Sequence, residues 1–432
     1  MTKYFHFLWI NFIIISALPA LGQWVKTSEP SGAVFSLTVS GTSLLAGTLN
    51  GVFRSTDHGD NWNLTLPPSI LPFVEDFALD FIGDSSRNLY AGGQGGVYLS
   101  KDDGINWQAV NSGLENREVR SLAVISDETR GSTLLAGTTE GVFRSSNYGA
   151  SWVPSGLTDL IVYALTVFKD EAGNTIILAG IDTENTGLGN CIFRSTNNGQ
   201  SWIESSLPTL WAGSFAIIPN ETNGMNIFTG TYFSVYLSTN NGLDWTHINS
   251  GLNRSVYSLA TCINWTSGTN LFAGTIFGGV FLSKDNGTSW EAVNSGLSYE
   301  NDYIYSLVVS GPYIFAGTLH VNGGVWRRPL SEMITPVEIT PTVFPARFLL
   351  EQNYPNPFNP STVISYKLPV NSDVTLKVYD VRGNEVTTLA DEYKPSGSYE
   401  VKFEARGLSS GIYFYKLQSG SFVETKKMLL LK

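Results

Sequence analysis

Residues 55–62 read STDHGDNW, and this eight-residue motif recurs along the chain. Its pattern, S-x-D/N-x-G-x-x-W, returns as SKDDGINW (100–107), SSNYGASW (145–152), STNNGQSW (195–202), STNNGLDW (238–245) and SKDNGTSW (283–290). The six closing tryptophans are separated by 45, 45, 50, 43 and 45 residues. A regular period of this size is typical of a repeat architecture, either a linear array or a closed propeller.

Each repeat predicts four short β-strands. In the first repeat, VFSLTV (34–39), LLAGT (44–48) and GVFRS (51–55) precede the motif, and a fourth strand begins at its tryptophan. Four short strands linked by Gly- and Asn-rich turns are typical of one blade of a β-propeller.

A seventh set of strands, at 303–309, 313–318 and 323–328, lacks a fourth member. The sequence Gln23-Trp24-Val25 resembles Ser151-Trp152-Val153, so we expect the N-terminal strand to complete this last blade. Closure of this kind removes exposed sheet edges. The predicted fold is therefore all-β, with a seven-bladed propeller over 23–330 that the N-terminal strand closes.

Comparison of the motif copies favours architecture over catalysis. The third position is Asp in three copies and Asn in the other three, and Asn replaces Asp in a side-chain-stabilised turn but not as an acid. Glycine at the fifth position supplies the positive φ of a tight turn. We predict that the following residues are structural: Asp57, Gly59, Trp62, Asp102, Gly104, Trp107, Asn147, Gly149, Trp152, Asn197, Gly199, Trp202, Asn240, Gly242, Trp245, Asp285, Gly287 and Trp290.

The motif resembles the Asp-box repeat of sialidases, sortilin-type receptors, xyloglucanases and photosystem assembly factors. This resemblance implies a propeller but not an activity, because unrelated functions share the scaffold. Sialidases carry an arginine in an Arg-Ile-Pro setting, and this chain contains no such tripeptide. Arg54, Arg144 and Arg194 recur at one repeat position, so we interpret them as structural.

The two ends of the chain predict an export route. Residues 1–22 have Lys3, an apolar run from Leu8 to Leu18 and small residues near Gly22, which is typical of a signal peptide cleaved before Gln23. An uncleaved membrane anchor is the alternative. No later segment predicts a membrane span.

After a Pro- and Thr-rich linker (331–347), residues 348–432 predict a small immunoglobulin-like β-sandwich. This segment resembles the C-terminal sorting domain of type IX secretion, which implies handling by that machinery and a secreted or outer-membrane-surface location. An accessory module, such as a carbohydrate binder, is the alternative. The motifs that carry the resemblance are NYPNPFNP (353–360), Tyr379-Asp380-x-x-Gly383 and GIYFY (411–415).

Composition narrows the classes of partner and cofactor. A net charge of −11 and a pI near 4.9 disfavour nucleic acid, because phosphate binding depends on Lys and Arg. Cys191 and Cys262 lie in non-neighbouring repeats, so we expect two buried free thiols. His58, His247 and His320 show no metal-ligand spacing, and we predict no metal, no cofactor and a monomer.

The loops on one rim of the ring carry the functional candidates. Aromatic residues there would suit stacking on sugars or anchoring a protein, although such rings also cover blade junctions. The leading hypothesis is a non-enzymatic module that binds an extracellular glycan or protein, and the alternative is a glycoside hydrolase that uses rim carboxylates. The candidate binding residues are Trp211, Tyr232, Phe233, Phe277 and Tyr299, and the candidate catalytic acids are Glu140, Asp182 and Glu184.

Overall fold

The structure is a computed structural model, and its described residues are β-strands and turns apart from one short 3₁₀ turn at Leu330–Glu332. The predicted signal peptide, through residue 21, and the predicted linker from 335 to 347 lie outside these residues. So do Glu184 and Tyr299. The residues that the structure describes are 22–82, 86–126, 131–183, 186, 188–220, 224–248, 250–264, 268–297, 303–320, 322–334, 348–368, 372–394, 397–419 and 422–431.

Seven four-stranded antiparallel sheets form the ring, and within six of them the strands follow chain order. The prediction of a seven-bladed propeller is confirmed. The strands of blades 1 to 6 are Val34–Ser40, Ser43–Thr48, Gly51–Ser55 and Asn63–Leu66; Val74–Ile82, Ser86–Gly93, Gly96–Ser100 and Gln108–Ala109; Val119–Ile125, Thr133–Thr138, Gly141–Ser145 and Val153–Pro154; Val162–Lys169, Thr175–Ile181, Ile192–Ser195 and Ile203–Glu204; Ala212–Pro219, Met225–Thr231, Val235–Ser238 and Thr246–His247; and Val256–Asn264, Gly268–Thr275, Gly279–Ser283 and Glu291–Ala292.

The N-terminal strand completes the seventh blade, as the sequence predicts. Blade 7 contains Ile304–Ser310, Tyr313–Thr318 and Gly324–Pro329, and Val25–Ser31 pairs antiparallel with the last of these. Trp24, just before this strand, is 2% exposed, and its indole Nε1 donates a 2.7 Å hydrogen bond to the carbonyl of Val293 in blade 6. The ring is therefore closed by pairing between residues almost 300 positions apart.

The first strand of each blade lies against the first strand of the next, which requires a glycine in the second strand. A Cβ added at Gly47 would lie 2.6 Å from the carbonyl oxygen of Val74 in blade 2. The same repeat position is glycine in all seven blades. Small residues at this point allow the backbones of neighbouring blades to approach.

The Asp-box turns hold themselves together by local hydrogen bonds. In the first copy, Asp57 Oδ1 accepts from Ser55 Oγ and from the Asn61 amide, both at 2.9 Å. In the third copy, Asn147 Oδ1 accepts from Ser145 Oγ at 2.9 Å and from the Ser151 amide at 2.8 Å. Asp and Asn therefore accept the same two hydrogen bonds and have the same structural role in the turn. The side-chain hydrogen bond from Asn61 also holds the pKa of Asp57 at about 2.

Positive φ angles occur at two consecutive positions of each Asp-box turn. Gly59 has φ 83° and the exposed His58 before it has φ 57°. The sequence predicts the positive φ at the glycine but not at the residue before it. The equivalents of His58 with the same backbone conformation are Asp103, Tyr148, Asn198, Asn241 and Asn286.

The Asp-box tryptophans join neighbouring blades. The Nε1 of Trp152 donates to the carbonyl of Val110 in blade 2 at 2.7 Å, and that of Trp202 donates to the carbonyl of Ser155 in blade 3 at 2.8 Å. Arginines of the third strands also reach the next turn, since Arg54 Nε donates to the carbonyl of Asp103 at 2.8 Å. The motif therefore stabilises both a turn and a blade junction.

The C-terminal segment forms two antiparallel sheets around its own apolar core, which confirms the predicted sandwich. Within it, Asn353 is buried and its Nδ2 donates to Thr362 Oγ1 at 2.9 Å. Asn356 Oδ1 accepts from the amide of Leu429 at 2.8 Å. The strands are Leu349–Leu350, Ser361–Leu368 and Gly397–Glu404 in one sheet, and Ser372–Tyr379, Glu385–Lys394, Gly411–Ser419 and Phe422–Leu430 in the other.

Both cysteines are buried free thiols, as predicted. Across the described ranges, no helix is long and apolar enough to cross a membrane. Nor do the residues described there contain a cluster of three or more His, Cys, Asp or Glu side chains suited to a metal ion.

Candidate ligand-binding site at the channel mouth

A cavity of about 220 Å³ lies where the first strands of all seven blades converge. Those strands form one edge of each sheet and lie next to one another around the ring, so the cavity sits in its central channel. The lining residues come from the beginnings of the strands. The cavity therefore opens on the face that carries the loops between second and third strands, opposite the Asp-box turns.

One repeat position contributes a residue from every blade to the cavity wall. The first residue of each innermost strand is apolar and fully buried, whereas the second residue lines the channel and differs between blades. A register shift between the first and third residues of these strands, such as Val34 and Ser36, interrupts the alternation, so that the third residue also lines the cavity. From blade 1 to blade 7 the second residues are Phe35, Glu75, Arg120, Tyr163, Gly213, Tyr257 and Tyr305.

Aromatic rings form a continuous track along most of this wall. Trp211 takes the space left by Gly213, because a Cβ there would lie 1.9 Å from the indole ring. The distances between neighbouring ring centroids are 5.8 Å for Phe73–Phe35, 5.8 Å for Phe35–Tyr305, 5.2 Å for Tyr305–Tyr257, 4.5 Å for Tyr257–Trp211, 6.2 Å for Trp211–Tyr163 and 5.1 Å for Trp211–Tyr232.

Blades 2 and 3 interrupt this track with charge. Arg120 forms a 2.7 Å ion pair with Glu75 and a longer one, at 4.0 Å, with Glu118. Burial raises the pKa of Glu75, and the positive charge of Arg120 opposes that increase. The side chain of Glu75 is only 7% exposed, against 28% for Arg120, so Arg120 is the more accessible partner of the pair.

Asp76, beside Glu75, is the second buried acid of the channel. Burial raises its pKa to about 7, although the amides of Leu122 and Phe77 donate to its carboxylate oxygens at 2.8 Å. Five other blades have serine at this position, and blade 4 has Ala164.

Four of these serines, Ser36, Ser121, Ser258 and Ser306, form hydrogen bonds with a neighbouring blade. Ser306 Oγ accepts from the amide of Leu37 at 2.9 Å, and Ser258 Oγ accepts from the amide of Leu307 at 2.8 Å. Asp76 keeps the same link to blade 3 through Leu122 but brings a titratable group to the channel.

The predicted binding aromatics lie in different surroundings. Trp211 is 2% exposed, stacked between Tyr232 and Tyr257, so it is a packing residue rather than an open platform. Trp211 nevertheless lines the cavity, so its assignment to the binding surface stays a prediction. Tyr232 is half-buried, and Phe233 and Phe277 are 73% and 53% exposed.

Phe277 has an unusual backbone for a bulky side chain. Its φ is 60°, in the left-handed region, and its ring packs 4.3 Å from that of Tyr303. Phe73, at the other end of the aromatic track, has φ 49°. Strained conformations of this kind are uncommon for large residues and cluster at functional sites.

The predicted acids are only partly placed at the cavity. Asp182 is half-buried, forms an isolated β-bridge with Trp211, and its charge contributes to raising the pKa of Tyr163 and Tyr257 after the larger effect of burial. Glu140 is exposed on a turn between the second and third strands of blade 3.

The sequence-based candidates missed most of the wall. The missed residues could have been found by aligning the seven first strands and comparing their second positions. They are Phe35, Glu75, Asp76, Arg120, Tyr163, Tyr257 and Tyr305.

Comparison with protein families finds one match, at residues 352–431, to the secretion system C-terminal sorting domain. This match confirms the resemblance of the C-terminal segment and indicates delivery by type IX secretion, to the cell surface or beyond it. A comparison with curated proteins finds no match.

Solved propeller structures resemble this chain at low sequence identity. The GH74 xyloglucanase of Xanthomonas campestris is 16% identical with a TM-score of 0.53, and the match covers 80% of this chain and 59% of that one. The GH74 enzyme of Niastella koreensis is 14% identical with a TM-score of 0.54, over 93% of this chain and 74% of that one. PorZ, a surface component of the type IX secretion system of Porphyromonas gingivalis, is 13% identical with a TM-score of 0.48, over 94% and 60%. At these identities the likeness to the two enzymes shows the fold alone.

Proposed function

We propose that this exported chain is a non-enzymatic binding protein that holds an extracellular glycan or protein at the channel mouth. The observation that carries the proposal is the aromatic track around a cavity that also contains the Glu75–Arg120 ion pair. Aromatic rings offer large apolar contact area, and a few fixed polar groups orient a ligand.

The cavity is small for a ligand pocket. Its volume of about 220 Å³ is below the roughly 300–1,000 Å³ of pockets for drug-sized molecules. A single sugar ring or one side chain therefore suits it, while the rest of a larger ligand lies across the face. Phe233 and Phe277 are exposed on that face to meet it.

A glycoside hydrolase is the second candidate. Asp76 favours it, because a carboxyl group with a pKa near 7 can serve as a general acid. Against it, both carboxylate oxygens of Asp76 are engaged by backbone amides. Hydrolysis needs a second carboxylate across the scissile bond. The other described acids close to the cavity are Glu75, which lines it beside Asp76, Glu118, which pairs with Arg120, and Asp182, whose backbone pairs with that of Trp211.

Binding and turnover can be measured side by side. The full mature chain is tested against an array of surface glycans and against surface proteins of the host, together with a reducing-sugar assay. We expect binding without sugar release, and we expect Tyr257→Ala to abolish the binding. Tyr148→Ala, on an Asp-box turn, is the matched control.

Sugar release that Asp76→Asn or Asp182→Asn abolishes would replace the binding proposal with the hydrolase. Binding that survives Tyr257→Ala unchanged would remove the channel mouth as its site.

The export route has its own test. A chain without residues 348–432 should be retained in the periplasm of the native host, because the sorting domain is missing. Fractionation followed by immunodetection measures this. Normal export of the truncated chain would refute the sorting role of the segment.

A further inference from the structure

We propose that the channel cavity receives a positively charged side chain, the ammonium of a lysine or the guanidinium of an arginine, presented by an extracellular protein. This inference rests on the proposed function and names the partner chemistry of the same site. Three features carry it: the excess of acids, the aromatic wall and the size of the cavity.

Acids outnumber bases around the cavity. Glu75 and Asp76 line it, Glu118 pairs with Arg120, and the charge of Asp182 contributes to raising the pKa of the lining residues Tyr163 and Tyr257 after the larger effect of burial. Arg120 is the base among the lining residues that the structure describes, and Glu75 already neutralises it at 2.7 Å. With Asp76 ionised above about pH 7 the local charge is negative, which attracts a cation and repels an anion.

Arg254, a base on the same face, lies outside the cavity lining. Arg254 Nε donates to the carbonyl of Phe277 at 3.2 Å, on the rim. An anionic ligand would have to displace Glu75 from Arg120, whereas a cation can bind beside the carboxylates without breaking this ion pair.

The wall opposite the acids is suited to a cation. Tyr163, Tyr257 and Tyr305 line the cavity and are half-buried, and Phe35 continues the row. A cation over an aromatic ring is attracted by the negative ring face, more strongly where water is excluded. The alkyl stem of a lysine or arginine packs on the same rings.

The pKa values at the site predict a pH dependence of cation binding that a neutral ligand would not show. Burial raises the pKa of Asp76 to about 7 and raises the pKa of Glu75. A bound cation favours the carboxylate forms, so binding of a cation should strengthen as pH rises through about 7. Arg120, Glu118, Asp182 and the three tyrosines are the other titratable groups near these acids.

The test uses three small probes on the full mature chain, with binding followed by NMR or calorimetry. Nα-acetyl-lysine methylamide presents the cation, Nα-acetyl-norleucine methylamide is its neutral counterpart, and a methyl glucoside is the neutral sugar. We expect the lysine probe to bind, the other two to bind more weakly, and the lysine probe to bind more tightly at about pH 8 than at about pH 5.

Variants then locate the site. Tyr257→Leu should weaken binding of the lysine probe roughly two- to thirtyfold, the range expected for one cation–ring contact. Asp182→Asn should weaken it less and reduce its salt dependence. Tyr148→Leu, on the opposite face, should leave it unchanged.

Three results would overturn the inference: equal binding of the lysine and norleucine probes, tighter binding of the glucoside, or an unchanged affinity in Tyr257→Leu. The glycan array or the protein screen can find a ligand whose binding Tyr257→Ala abolishes. If the lysine probe then neither binds nor competes with that ligand, the inference fails and the proposed function stands. If no ligand and no probe binds the channel mouth, both fail.

Discussion

The repeated positions are nearly uniform on one face of the propeller and variable on the other. On one face, six Asp-box turns keep nearly the same residues and the same hydrogen bonds, whether the third position is Asp57 or Asn147. On the other face, one position in the seven first strands varies from Phe35 through Glu75 and Arg120 to Tyr305. Residues that are the same in every repeat stabilise the ring. Residues that differ between repeats at one position give the channel mouth a chemistry that the Asp-box face lacks.

The contrast also explains why the recurring Asp-box motif is a weaker candidate for the binding site than the channel mouth. Asp57 has a lowered pKa, but neighbouring hydrogen bonds within its own turn account for it. Asp76 has a raised pKa because it is buried where other blades place serine. A titratable group that departs from its own repeat is the better candidate for function.

The largest expected effect is on ring closure. Deletion of residues 23–30 removes Trp24 and most of the closing strand, so we expect a loss of at least about 5 kcal/mol in the free energy of unfolding, enough to unfold a marginal domain. Denaturant unfolding of the full mature chain measures it. An unchanged midpoint would break the closure model.

Trp152→Ala should separate stability from binding. Trp152 is 3% exposed and joins blade 3 to blade 2, so we expect a loss of about 3–5 kcal/mol in the free energy of unfolding. Binding at the channel mouth should persist wherever the variant is folded. A selective loss of ligand affinity in folded Trp152→Ala would assign function to the Asp-box face.

Asp76→Ser should change the pH dependence of stability. Below about pH 4 the carboxyl is protonated in both the folded and the unfolded chain. Between about pH 4 and 7 only the unfolded form ionises, so burial of Asp76 costs stability as pH rises. The variant should gain on the order of 2–4 kcal/mol at pH 8 and almost nothing at pH 4.

Serine keeps the link to blade 3 that Ser258 makes elsewhere, and Asp76→Asn provides a second neutral variant of the same shape. Unfolding curves at both pH values are the measurement. Equal gains at the two pH values would show that the effect is not titration of Asp76.

The smallest expected effect is at the Asp-box turn itself. In Asp285→Asn we expect a change within about 0.5 kcal/mol. Asn147 also accepts from the backbone amide of its serine, Ser151, and it donates to the hydroxyl of that serine where Asp285 accepts from the hydroxyl of Ser289. Asp285→Ala should cost about 1 kcal/mol more, since it leaves turn amides without their acceptor. Thermal unfolding compares the three chains, and a costly Asn variant would contradict the equivalence of the copies.

The fold could be predicted from the sequence because each strand and turn is determined locally and then repeated. Trp24 could be placed in the last blade because its neighbours resemble those of Trp152. The site could not be predicted in the same way. Tyr257 and Tyr305 are separated by a whole repeat, and the packing of blade 6 against blade 7 brings their ring centroids to 5.2 Å.

Burial also could not be read from the sequence. Trp211 reads as a rim aromatic, but Gly213 two residues later lets it fold over the strand into the interior. The Glu75–Arg120 pair joins two blades and carries no motif of its own.

The central claim, that ligands are held at the channel mouth and not at the Asp-box face, is tested most directly on cells. Host cells that lack this protein are exposed to labelled full chain, as wild type, as the Tyr257→Leu/Tyr305→Leu double variant and as Tyr148→Leu. The account predicts that wild type and Tyr148→Leu bind the cells equally and that the double variant does not bind, while all three unfold at similar temperatures. Equal binding by a folded double variant, or loss of binding by Tyr148→Leu alone, would contradict it.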